Sequence, residues 1–263
     1  MNNDEMILAF SDLRVKFSDR EYVRKADLRQ FYLLQNPNLT EKAFRRILYS
    51  LEKQNIIISI GAGIYAFLHT SHPVKKRKFI PNLSPSLYEM SSKIKEDFPY
   101  IQYLSWETNI LNEFMIHQPN QSQVILEIEK DACESVFNRL KENPSINIFL
   151  EPSKSTFDRY IFNTSNSVIL LSLVTQSPRM KIKGITTARL EKILVDIFAD
   201  KDRFFIFHGQ EMINIFENAF SSYWINPKTL FRYSGRRKVS KELKSFITKQ
   251  TEIELSLLYG ETK

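Results

Sequence analysis

Apolar side chains recur along the chain with periods that mark out its elements. In "NLTEKAFRRILYSLEKQN", residues 38–55, Phe44, Ile47, Leu48 and Leu51 follow the i, i+3, i+4, i+7 spacing of one helix face. Thr40 stands before the run as an N-cap, Glu41 lies in the first turn and Lys53 near the end, which are helix start and stop signals. Lys42, Arg46, Tyr49 and Lys53 cluster opposite the apolar stripe, with Arg45 and Ser50 flanking them. Upstream, "YVRKADLRQFYLLQNPN" reads as a short extended stretch and a helix from about Lys25 to Leu34, closed by the breaker at 36–38. Residues 4–17, with Ile7, Leu8, Phe10, Leu13 and Phe17, offer a third helix. Downstream, "IIISIGAGIYAFL" is strand, glycine turn, strand, where Gly61 and Gly63 allow positive φ at the reversal.

Three helices and a glycine-tipped hairpin within about 70 residues, the last helix basic, have the layout of a winged helix-turn-helix. The predicted fold class is therefore α+β: a winged-helix domain over 1–70, a basic linker over 71–84, and a mixed α/β domain over 85–263. In that last domain "SLYEMSSKIKEDF" and "ETNILNEFMIH" read as helices, "YIQYLSW", "QVILEIE", "INIFLE" and "SVILLSLV" as strands, and "DACESVFNRLKEN" as a helix lined by Cys133, Val136, Phe137 and Leu140. From "TTARLEKILVDIFAD", about residue 185, the pattern turns helical and stays so, with Leu190, Ile193, Leu194, Ile197 and Phe198 on an apolar face.

Charge sharpens this division. The net +7 splits into +6 over residues 1–80, −3 over 81–230 and +4 over 231–263. Basic ends around an acidic middle fit a polyanion-binding module joined to a neutral body. The linker run Lys75, Lys76, Arg77 and Lys78 either tracks a phosphate backbone or is solvated. With 43% apolar residues the chain can fill packed cores, and no segment reaches the roughly 18 apolar residues of a membrane span. The acidic start lacks a basic-then-apolar leader, and the single Cys133 reads as a buried small hydrophobe, so a cytoplasmic location is expected.

Catalytic patterns are sparse. His69, His72, His117 and His208 are scattered, and no metalloprotease, P-loop or nucleophile-elbow motif appears. "GAGIYA" lacks the third glycine and the following helix of a dinucleotide site. In "EIEKD" Glu127 and Glu129 alternate onto one strand face, an arrangement that either binds a metal or forms the exposed side of a half-buried strand. Neither an enzymatic activity nor a cofactor is expected. The expected DNA-binding residues are Arg24, Lys25, Lys42, Arg45, Arg46, Tyr49, Ser50, Lys53, Gly61, Gly63, Lys75, Lys76, Arg77 and Lys78, with Arg and Lys reaching guanine edges or phosphates.

Residues 22–67 resemble the N-terminal winged helix of AbiEi-type antitoxins of type IV toxin-antitoxin systems. The resemblance lies in "ADL" entering the second helix, an Arg-containing helix ending in "LYSL", and the wing "GAGIY". "ITTARLEKILVDIFAD" is similar to the family's helix after the C-terminal strands, and "PKTLFRYSGRRKVSKELKSFI", residues 227–247, to its late basic helix. The resemblance implies a repressor that binds double-stranded DNA at repeats in its own promoter. It also implies a nucleotidyltransferase-like toxin as functional partner, without direct contact being required. The positive surface of the family's C-terminal domain would fall here on Arg232, Arg236, Arg237, Lys238, Lys241 and Lys244, which otherwise form the polar face of a surface helix.

Overall fold

The computed structural model describes residues 12–13, 15–17, 20, 22–54, 56–61, 63–67, 76–162 and 164–253. The chain divides between Arg77 and Lys78 into two compact units.

In the first unit, β1 (Tyr22–Arg24) leads into α1 (Lys25–Gln35), followed by α2 (Glu41–Lys53), β2 (Ile57–Gly61) and β3 (Ile64–Phe67). The strands form an antiparallel sheet in the order β1-β3-β2. Thr40 caps α2 as its sequence predicts, its Oγ1 accepting the Ala43 N–H at 3.2 Å. Phe44, Ile47, Leu48 and Leu51 are buried against Leu28, Phe31, Ile57 and Phe67, so the apolar stripe of α2 faces the core. Leu13 and Phe17 are buried there as well, whereas Ile7, Leu8 and Phe10 lie outside the described residues.

The two glycines of the hairpin divide the work differently from the expectation. Gly61 ends β2, paired with Ile64 across a register shift, and positive φ (+74°) falls on Gly63. The Gly63 carbonyl accepts the Lys25 N–H at 2.6 Å, which ties the hairpin to the start of α1.

The second unit holds α3 (Pro85–Asp97), β4 (Tyr103–Glu107), β5 (Gln123–Ile128), α4 (Cys133–Lys141), β6 (Asn147–Leu150), β7 (Ser167–Ser172), β8 (Arg179–Ile182), β9 (Ile185–Ala188) and helices α5 (Leu190–Ala199), α6 (Gln210–Ser222), α7 (Pro227–Arg236) and α8 (Ser240–Gln250). Its six strands form one mixed sheet in the order β6-β7-β5-β4-β9-β8, in which β5, β7 and β6 run parallel. Strand alternation sends Tyr103, Leu126, Ile128, Val168 and Leu170 to the face covered by α3 and α4. Leu104, Trp106, Ile125 and Ile169 go to the other face, covered by the C-terminal helices. The molecule is thus mixed α+β.

The helix expected in "ETNILNEFMIH" is present as a 3₁₀ helix over Thr108–Phe114. Two expectations are corrected. "ITTA" is strand β9, paired with β8 across the two-residue turn Lys183-Gly184, where both residues have positive φ (+47° and +85°) as a type I′ hairpin demands. The late basic helix is two helices, broken between Arg236 and Ser240 where Lys238 takes φ +59°. Helix α5 is buried on every side, from Leu190 to Ile197, the pattern of a central core helix. No helix among the described residues is long and apolar enough to cross a membrane.

Candidate nucleic-acid interface and a buried ionic site

With its stripe turned into the core, α2 leaves Lys42, Arg45, Arg46, Tyr49 and Lys53 exposed. Tyr49 is 66% exposed. Glu41, Lys42, Arg45, Arg46 and Tyr49 line one shallow depression. Glu41 gathers the neighbouring cations: its carboxylate accepts from Lys25 Nζ at 3.0 Å and pairs with Arg29 at 3.4 Å and Arg45 at 3.7 Å. The hydrogen bond from Lys25, together with the three positive charges, holds the Glu41 carboxyl below its ordinary range. Lys25 and Arg45 are therefore tethered, whereas Lys42, Arg46 and Lys53 have no ion-pair partner among the described residues.

The remaining predicted contacts are dispersed. Arg24 is exposed on β1, and Ser50 is half-buried, accepting from Gln54 at 2.9 Å. Lys76 folds back onto Tyr22, donating to its hydroxyl at 3.1 Å with the ammonium over the ring. Arg77 and Lys78 are exposed, and Lys75 lies outside the described residues, as do His69 and His72. On the second basic surface Arg232, Arg236, Lys238, Lys241 and Lys244 are exposed on α7, α8 and the break between them. Arg237 is the exception: it turns inward and pairs with Asp196 at 3.4 Å.

That inward turn belongs to a network the sequence pattern hid. Glu127 does not form the exposed side of its strand; it is 4% exposed, and α5 places the fully buried ammonium of Lys192 against it. Glu129 lies beyond the end of β5 and is half-buried. Lys192 also pairs with Asp196 one turn along α5, and Asp196 accepts from the Tyr233 hydroxyl at 2.9 Å. Burial opposes the Lys192 charge, but the carboxylates of Asp196 and Glu127 overcome it and hold the ammonium protonated well above the ordinary lysine range. Beside the network lies a cavity of about 230 Å³ lined by Trp106, Glu127, Glu151, Ser172, Arg203 and Arg237, among others. Among the described residues, no group of three or more His, Cys, Asp or Glu side chains could hold a metal ion. Cys133 is buried and free, as its sequence context predicts, and burial pushes its thiol up.

Compared with known proteins, the chain matches the model of a family of unknown function, DUF6577, over residues 43–253, and belongs to that family. The match takes in most of α2, the hairpin and the whole six-stranded sheet. No curated protein matches the chain.

Proposed function

We propose that this member of DUF6577 is a DNA-binding transcriptional regulator and that its first unit works as a winged helix. The observation that carries the reading is α2, with one face committed to the core and the other offering Lys42, Arg46, Lys53 and the exposed Tyr49. Such a helix fits the major groove, where Arg46 and Lys42 meet guanine edges and Tyr49 meets a base or a phosphate. The hairpin tip at Gly61–Gly63, with Arg24, Arg77 and Lys78, then meets the backbone and fixes register. The resemblance of residues 22–67 to AbiEi-type proteins supports the narrower role of an autoregulating, cytoplasmic, non-enzymatic antitoxin that opposes a nucleotidyltransferase-like toxin.

Titration of a labelled duplex from the protein's own upstream region tests the DNA reading. With four or five phosphates neutralised, log K falls against log salt with a slope of about −4, at roughly −0.9 per phosphate. Arg46→Ala weakens specific binding about tenfold or more, in line with about 1–3 kcal/mol for a bidentate base contact. Binding that is insensitive to salt, or unchanged in the Lys42→Ala, Arg46→Ala pair, refutes the interface. Co-expression with the adjacent reading frame tests the antitoxin role, which fails if the protein does not relieve that neighbour's toxicity.

A further inference from the structure

Among the residues lining the depression on α2, one is acidic: Glu41. A carboxylate on a face offered to a polyanion works against binding, because a phosphate brought near it is repelled. Capping does not require it. Thr40 supplies the N-cap oxygen, and the position from which a carboxylate would complete a capping box is held by Ala43. A place in the first turn also suits the helix dipole, and that role predicts an effect on stability alone.

Three cations from two helices fix where the Glu41 carboxylate stands. Lys25, which opens α1, donates to Oε1 at 3.0 Å, and Arg29, one turn later, lies 3.4 Å from Oε2. Arg45, one turn along α2, lies 3.7 Å from Oε1. Of the three, the Lys25 contact alone has hydrogen-bond geometry. A carboxylate offers about four acceptor positions, and this side chain is 45% exposed. The Lys25 hydrogen bond and the surrounding charges keep it ionised. Glu41 is thus oriented, charged and open to a further donor.

The first turn of a helix lying in the major groove is the part that meets base edges. An acceptor-only group there is answered by an amino group, which cytosine and adenine present. Adenine sets its N7 acceptor beside the amino group and repels a carboxylate, whereas cytosine N4 has no neighbouring acceptor on its own base. We propose that Glu41 determines sequence specificity, accepting from a cytosine amino group in the specific site and opposing any DNA that places a phosphate or a base acceptor there. The inference rests on the reading of α2 as a DNA-binding helix. It makes Lys25 and Arg29, on the preceding helix, positioning residues for Glu41. Specificity is a difference of affinities, and a charge left unanswered in the wrong complex widens it just as a contact in the specific one does.

Two duplexes test this with the full-length protein, one from its own upstream region and one of the same composition in scrambled order. The parent is expected to prefer the first. Glu41→Gln removes the charge, and Glu41→Ala removes the acceptor as well. Both should bind scrambled DNA more tightly than the parent, with a salt slope steeper by about 0.9 for each phosphate the released cations gain. In both, the preference for the upstream duplex should fall about tenfold, the worth of one base contact. Replacing each C·G pair of the upstream duplex in turn should reveal one at which the parent loses about tenfold in affinity and Glu41→Ala loses nothing. Where Glu41→Ala does not fold, the preference of Glu41→Gln decides alone. The proposal is overturned if a folded variant keeps the parent's preference, if neither variant gains affinity for scrambled DNA, or if no C·G pair loses its effect in Glu41→Ala. A parent that binds both duplexes equally overturns it while leaving α2 as a DNA-binding surface. A parent that binds neither duplex at low salt overturns the DNA reading itself, and this inference with it.

Discussion

Lys192 is the residue on which the second unit's interior electrostatics turn. Its ammonium is fully buried between Glu127 and Asp196, so Lys192→Met leaves the buried Glu127 carboxylate without its ion-pair partner and Asp196 with Arg237 alone. Breaking a buried pair in this way costs about 3–5 kcal/mol, to be read as a lowered denaturant midpoint with an unchanged slope. His208 gives the same unit an acid sensitivity. Burial depresses its pKa, and its Nε2 lies 2.9 Å from the Ile197 carbonyl, where the neutral ring donates. A histidine with a depressed folded-state pKa binds fewer protons folded than unfolded. Its stabilisation is therefore complete above the unfolded value near 6.5 and is lost as pH falls from there through the folded value. Thermal unfolding between pH 7 and pH 5 should show this decline, with a shallower slope for His208→Gln.

At the scale of elements, the first unit was legible because its signals are local. The Thr40 cap, the four-residue apolar stripe of α2 and the glycines of the hairpin each act within a few residues of themselves. Thr40→Ala should cost about 1 kcal/mol, which lowers the melting temperature of a unit this size by about 4–8 °C. Gly63→Ala tests the hairpin. A Cβ there would meet Lys25 Cβ at an ordinary 3.5 Å, so the expected loss of about 1–2 kcal/mol comes from positive φ rather than from collision. The buried network was not legible, because Glu127, Lys192, Asp196, Tyr233 and Arg237 come from three segments far apart in sequence. Strand alternation gave Glu127 the correct face, but whether that face meets water or a helix is decided by how β5 lies under α5. A trace existed in "EKILVDIF": Lys192 and Asp196 are spaced one turn apart in a run whose apolar residues surround them. The β8–β9 hairpin was missed despite its "KG" turn, because a threonine pair next to a strong helix reads as that helix's beginning.

Across the whole molecule, each unit carries its own apolar core. Phe44→Ala, in the first, should cost about 3–5 kcal/mol, read as a lowered denaturant midpoint, and abolish duplex binding. The seclusion of Lys192 also supplies a clock for opening of the second unit. Amine-directed reagents need an uncharged, accessible nitrogen, and this one is neither uncharged nor accessible. Surface lysines such as Lys42, Lys53 and Lys241 should acylate at once, and Lys192 only when helix α5 is exposed, so its labelling rate counts those openings directly.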